Sequence, residues 1–145
     1  MTDTERLLAI EEIKQLKARY FRCMDTKDWA GFAATFAPDA TVDYTPAGGN
    51  PKDWSESGAA KVVALVRKMV ETTITVHHGH MPEVEVISAI SARGIFAMED
   101  LIWWPEGARR KTLRGWGHYY ETYEKIDGRW LIKTLKLTRL RVEET

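Results

Sequence analysis

One cysteine, Cys23, in 145 residues leaves nothing for an internal disulfide framework or a cysteine-based zinc cluster. It falls in a helical pattern, where it reads as a small buried hydrophobe. An excess of either charge is also missing, because 21 Lys and Arg balance 21 Asp and Glu. No overall field draws the chain to nucleic acid or to an anionic membrane, so a small or neutral partner is expected. No apolar run approaches membrane-spanning length. The opening stretch MTDTERLLAIEEIK carries acids where a signal peptide needs bases before an apolar segment, which makes a cytoplasmic protein the expectation. Gly-rich phosphate loops, nucleophile elbows, heptads, repeats and linkers are absent. What is left is a single domain over residues 1–145, long enough to bury a core without staples.

What the sequence has is two kinds of periodicity. Between Thr4 and Met24, the apolar positions Ile10, Ile13, Leu16, Tyr20 and Cys23 recur at intervals of three or four, which predicts an amphipathic helix. DTKDWAGFAATFAPDA restarts that pattern as a short second helix, with Asp25 or Thr26 as cap, Trp29, Phe32 and Phe36 as core and PDA as the stop. TVDY then signals a strand, TPAGGNP a loop, and SESGAAKVVALVRKMVETT a third helix opened by serines. After Thr75 the period becomes two. VEVIS, RGIFAMEDLIWW, TLRGWGHYYETYEKI and RWLIKTLKLTRLRV are strand candidates, and the DG before the last is the clearest hairpin signal. Helices first and antiparallel hairpins afterwards predict an α+β domain, helices packed on one face of a curved sheet around a pocket.

TVHHGHMPEVEV places three of the four histidines within four positions. Neutral imidazoles suit zinc or iron, but neighbouring strand residues point to opposite faces, so His77 and His78 do not readily share an ion. No metal is expected. A single catalytic histidine needs only one ring to face the pocket. Carrying the alternation of Val84 and Val86 backwards turns His80 and His78 inward, whereas a bulge at Gly79 or Pro82 would turn His77 inward instead.

Asp100 shares a face with Phe96, Met98, Ile102 and Trp104, so alternation puts a carboxylate among apolar side chains. Such an acid must be paired, hydrogen-bonded or neutralised, which makes it a site candidate. A slip of one residue would place Glu99 there. Asp25 is either a site residue or the cap of the second helix, and Tyr20 either a site hydroxyl or a core aromatic. The aromatic strand residues Trp103, Trp104, Trp116, Tyr119, Tyr120 and Tyr123 divide between core, subunit interface and pocket wall. ARRK reads as a solvated hairpin tip. Arg139, in LTRLR, neutralises a substrate anion if it points inward, and otherwise is a solvated or interface residue.

DTKDWAGFAATFAPDATVDY, TVHHG and YEKIDGRWLI together resemble the NTF2-like, SnoaL-like superfamily across nearly the whole chain. Within it they are most similar to scytalone dehydratase and its relatives, among them bile-acid dehydratases and a hexachlorocyclohexane dehydrochlorinase. The resemblance implies a cone-shaped α+β barrel with an aspartate–histidine dyad and no cofactor. It puts the dyad on Asp25 and His77, with His78 as the alternate. Tyr44 falls on a pocket tyrosine of scytalone dehydratase, and Tyr20, five residues before Asp25, on a tyrosine of the bile-acid dehydratases; Asp100 also resembles a pocket acid there. It implies a lyase removing water from a small, hydrophobic, cyclic hydroxy-carbonyl compound; from the residue pattern, Asp100, His78, His80, Trp104 and Arg139 are the candidate substrate contacts. A polyketide or steroid isomerase or cyclase, or a ligand-binding module without catalysis, are the alternatives. Homo-oligomers, dimers or trimers, occur among the relatives.

Overall fold

Thr2 starts the first helix with a capping box: its side chain accepts from the Glu5 N–H, and the Glu5 carboxylate accepts from the Thr2 N–H. In the computed structural model, which describes residues 1–145, α1 then runs over Asp3–Asp25. Its buried face contains the expected Ile13, Leu16, Tyr20 and Cys23, and widens to include Lys17, Phe21 and Met24. Helix α2 follows at Trp29–Ala33. Neither Asp25 nor Thr26 caps it. Asp28 does, accepting from the Gly31 N–H at 2.9 Å, which frees Asp25 for another role.

Strand β1 spans Phe36–Asp43, so the PDA expected to stop a helix lies inside a strand. A single turn, α3 at Pro51–Trp54, is capped by Asn50 with proline at its start. The serines expected to open the third helix instead form β2, Ser55–Ser57, against β1. Helix α4, Ala59–Val70, begins at Gly58, whose φ of 93° lies in the left-handed region and whose missing side chain leaves no cap bond. Four long strands follow: β3 Ile74–Val86, β4 Ser91–Trp103, β5 Thr112–Ile126 and β6 Arg129–Glu144. At the β5–β6 turn, Asp127 and Gly128 both have positive φ, 50° and 78°, the twist-matched geometry the DG signal predicts.

The six strands form one sheet in the order β2-β1-β6-β5-β4-β3. All pairs are antiparallel except β1 with β6. The fold is the expected α+β arrangement, but β2 and β3 remain edges, so the cone is an open curved sheet rather than a closed barrel. Bulges supply the curvature. Between the pairs His80–Ala97 and Glu83–Ile95, strand β3 has two residues, Met81 and Pro82, where β4 has one, Phe96. Leu140 and Lys133 are similarly extra on β6 relative to β5. Helix α1 packs against β3 and β6, and α4 against β1. No helix is long and apolar enough to cross a membrane.

Candidate active site

The extra residue in β3 decides which histidine points inward. Below the bulge, Val84 and Val86 face the helices; above it the parity reverses, and Thr73, Thr75 and His77 occupy the inner face. The His77 side chain is 5 % exposed. His78 and His80 lie on the opposite face, so extrapolating alternation through Pro82 fails here, and neither lines the cavity described below. Gly79, on the inner face, leaves room for Phe21: a Cβ there would stand 2.7 Å from the Phe21 ring. That ring lies flat along His77, with centroids 5.8 Å apart and planes 12° apart.

Asp25 is the last residue of α1, and the packing of α1 on β3 brings its carboxylate to the start of that strand. Oδ1 meets His77 Nδ1 at 2.6 Å and accepts from the Thr75 hydroxyl at 2.8 Å, while Oδ2 accepts from the His77 backbone N–H at 2.8 Å. A carboxylate bonded to Nδ1 keeps the proton on that nitrogen and leaves the Nε2 lone pair free. Thr75 was not anticipated. Its signal was present in TVH, because the residue two before an inward histidine shares its face.

Nε2 points toward Asp100, whose Oδ2 is 3.8 Å away. Asp100 is 2 % exposed and is where alternation along β4 predicts it. Arg139 points inward from β6 and meets it with two parallel bonds, Nη1 to Oδ1 and Nη2 to Oδ2, both 2.8 Å. Burial works to lower the Arg139 pKa, but the bonds to Asp100 outweigh it and raise it. Gly115 of β5 makes the pair possible: a Cβ there would collide with the guanidinium and come within 2.5 Å of Asp100 Oδ1. Glu99, the alternative acid, is on the outer face with Arg114.

Tyr20 and Tyr44 share a hydroxyl–hydroxyl bond of 2.7 Å. Tyr119 stands beside Tyr20 with ring centroids 5.9 Å apart. Burial raises the pKa of all three phenols above the ordinary value, so they are neutral O–H groups, able to donate.

These groups meet in one cavity of about 410 Å³. Tyr20, Tyr44, Tyr119, His77, Asp100 and Arg139 form its inner end, and Met24, Trp54, Met69, Ile102, Leu113 and Leu137 make the walls largely apolar. Along β4 the cavity runs from Asp100 to Trp104, roughly 13 Å at the usual rise of a strand. Its rim is Trp104 with Arg110 and Glu144. The Arg110 guanidinium lies 4.4 Å from the Trp104 ring centroid and pairs with Glu144, so ARRK is not wholly a solvated tip. Of the sequence candidates, His77, Tyr20, Tyr44, Asp100, Arg139 and Trp104 line this cavity and Asp25 stands behind it, bonded to His77, whereas His78 and His80 do not line it. No group of three His, Cys, Asp or Glu side chains is arranged to hold a metal ion. An imidazole with one nitrogen fixed by a carboxylate and the other open to an apolar cavity, beside neutral hydroxyl donors, is suited to moving a proton to or from carbon.

Known proteins are similar to this chain in sequence and in fold. A probable cyclase, FGR4, of Gibberella zeae is 27 % identical over 133 residues, covering 88 % of this chain and 89 % of that one. A Novosphingobium aromaticivorans structure provisionally assigned as a scytalone dehydratase superposes with a TM-score of 0.86 at 19 % identity, covering 99 % of this chain and 92 % of that one. Hexachlorocyclohexane dehydrochlorinase LinA-type3 of Novosphingobium barchaimii superposes with a TM-score of 0.82 at 22 % identity, covering 99 % and 94 %. At these identities the two structures speak for the fold. The SnoaL-like domain model matches residues 5–136, nearly the whole folded unit that carries the cavity, and the chain therefore belongs to the SnoaL-like family.

Proposed function

We propose that the protein is a lyase of dehydratase type, removing water from a small, hydrophobic, cyclic hydroxy-carbonyl compound with its own side chains. The observation that carries this reading is the 2.6 Å contact between Asp25 and His77 Nδ1, with Nε2 turned into an apolar cavity. His77 Nε2 takes the proton from the carbon beside the substrate carbonyl. The electrons of that C–H bond move toward the carbonyl oxygen, where Tyr119 and one hydroxyl of the Tyr20–Tyr44 pair, the one accepting from its neighbour, donate to the developing enolate. Collapse of the enolate forms the C=C bond and breaks the C–O bond, and the leaving oxygen takes the proton from His77 Nε2 as water. Asp25 stabilises the transient imidazolium from one side, and Asp100, 3.8 Å from Nε2, from the other.

Arg139 is already neutralised by Asp100, so the inner end offers no free cation, and a substrate neutral at its reacting end fits best. A second reading, an isomerase or cyclase, is favoured by the relationship to the probable cyclase FGR4, since proton abstraction beside a carbonyl also begins those reactions. Self-association through the outer sheet face, where Ile74 and Trp103 are 68 % and 39 % exposed and pair across strands, belongs to the same proposal. The test is incubation of purified protein with a panel of cyclic hydroxy-ketones, reading product mass and ultraviolet absorption. A product lighter by one water, lost in His77→Ala, supports dehydration. Incorporation of solvent deuterium without mass loss moves the assignment to an isomerase, and binding without either moves it to a ligand-binding module.

A further inference from the structure

Behind the tyrosines, outside the cavity, lies a second buried ion pair. Lys17 Nζ is 2.7 Å from Glu121 Oε1, and the two side chains are 1 % and 0 % exposed. Withdrawing both charges from water offsets most of what their attraction returns, and an apolar pair of similar volume generally serves stability as well. Stability alone is thus a poor reason to keep this pair in the core.

Its surroundings supply a better one. Lys17 precedes Tyr20 and Phe21 by three and four residues, so all three share a face of α1. Tyr119 and Glu121 are two apart on the inner face of β5. Where helix and strand meet, the ammonium stands 3.5 Å from the Tyr119 ring centroid and 3.7 Å from that of Tyr20. With Glu121 it therefore has three partners, a carboxylate and two ring faces, each attractive to a cation. Phe21, whose ring lies along His77, is 4.9 Å from the same nitrogen. One buried charge borders three rings that set the walls around His77 and the Tyr20–Tyr44 bond.

We propose that Lys17, held by Glu121, is a positioning residue: it fixes the Tyr20 and Tyr119 rings so that their hydroxyls stand where a substrate oxygen is to be bound. It acts through those rings and touches no substrate. The consequence for turnover rests on the function proposed above; the consequence for the rings does not, and the two are tested separately. Tyrosines are labelled with carbon-13 in the wild-type protein, in the apolar replacement Lys17→Met/Glu121→Leu and in the neutral polar replacement Lys17→Gln/Glu121→Gln, and the ligand-free ring resonances are compared. The expected result is a folded double variant in which the Tyr20 and Tyr119 signals shift while that of Tyr120, on the outer face, does not. Unchanged Tyr20 and Tyr119 signals in a folded double variant overturn the proposal, as does loss of folding in both, which would make the pair a purely structural element. Where a substrate is in hand, displacement of the hydroxyls by about 1 Å lowers kcat by roughly a hundredfold with KM little changed. Shifted rings with no turnover in the wild type would sink the dehydratase reading and leave the positioning role standing.

Discussion

The inner end of the cavity and its rim are built from the same kinds of residue, an arginine, a carboxylate and aromatic rings, but hold them differently. Inside, Arg139 grips Asp100 with two parallel bonds, and the pair is 22 % and 3 % exposed. At the rim, Arg110 lies on Trp104 and pairs with Glu144, the two being 37 % and 50 % exposed. Desolvation makes the inner pair costly to break, because either partner left alone is a buried charge. Water competes for both partners of the outer pair and leaves it little net worth. One cavity thus has an end that cannot rearrange cheaply and an end that can, as is needed where chemistry is done at one end and ligands enter at the other.

Breaking the inner end has the largest consequences. His77→Ala removes the proposed base, and turnover falls by about a hundred to ten thousand fold while the circular dichroism spectrum is unchanged. Asp25→Asn, which disturbs the Nδ1 tautomer without touching the cap of α2, has an effect of similar order in the same assay; loss of folding would return Asp25 to a structural role. Next comes Arg139→Met, which strands Asp100 and lowers stability by about 3–5 kcal/mol in urea denaturation, with most of the loss recovered in Asp100→Leu/Arg139→Met. At the rim, Arg110→Met changes stability by less than about 1 kcal/mol, and substrate titration should show a change in KM rather than kcat. An equal loss of kcat would erase the distinction between the two ends. Smallest of all is His78→Gln/His80→Gln on the outer face, for which turnover in the same assay should match that of the wild type.

The strands of the second half were legible because alternation persists over long runs: TLRGWGHYYETYEKI coincides with β5, and Asp100 is buried where β4 puts it. The first half was harder to read where local signals compete. Ser55 and Ser57 have good capping chemistry, but pairing with β1 claims them for a strand. The dyad was found through family likeness combined with the possibility of a bulge, since His77 and Asp25 are 52 positions apart and periodicity cannot join them. Lys17 was missed altogether. A lysine on an amphipathic helix is ordinarily solvated, and nothing in the α1 sequence announces that Glu121, more than a hundred residues later, will bury it.

The bulge between His80 and Glu83 has a consequence for how such a site can change. A strand has a reading frame of two, and one inserted residue shifts it. Removal of Met81 alone would make the strand regular without moving the dyad: counted back from Val86, Val84, Pro82, Gly79 and His77 would then alternate onto the inner face, and His77 would still stand opposite Asp100. For this fold the pairing with β4, and not the count of residues along β3, keeps the base in place, so the bulge can gain or lose its extra residue while the same histidine faces the cavity.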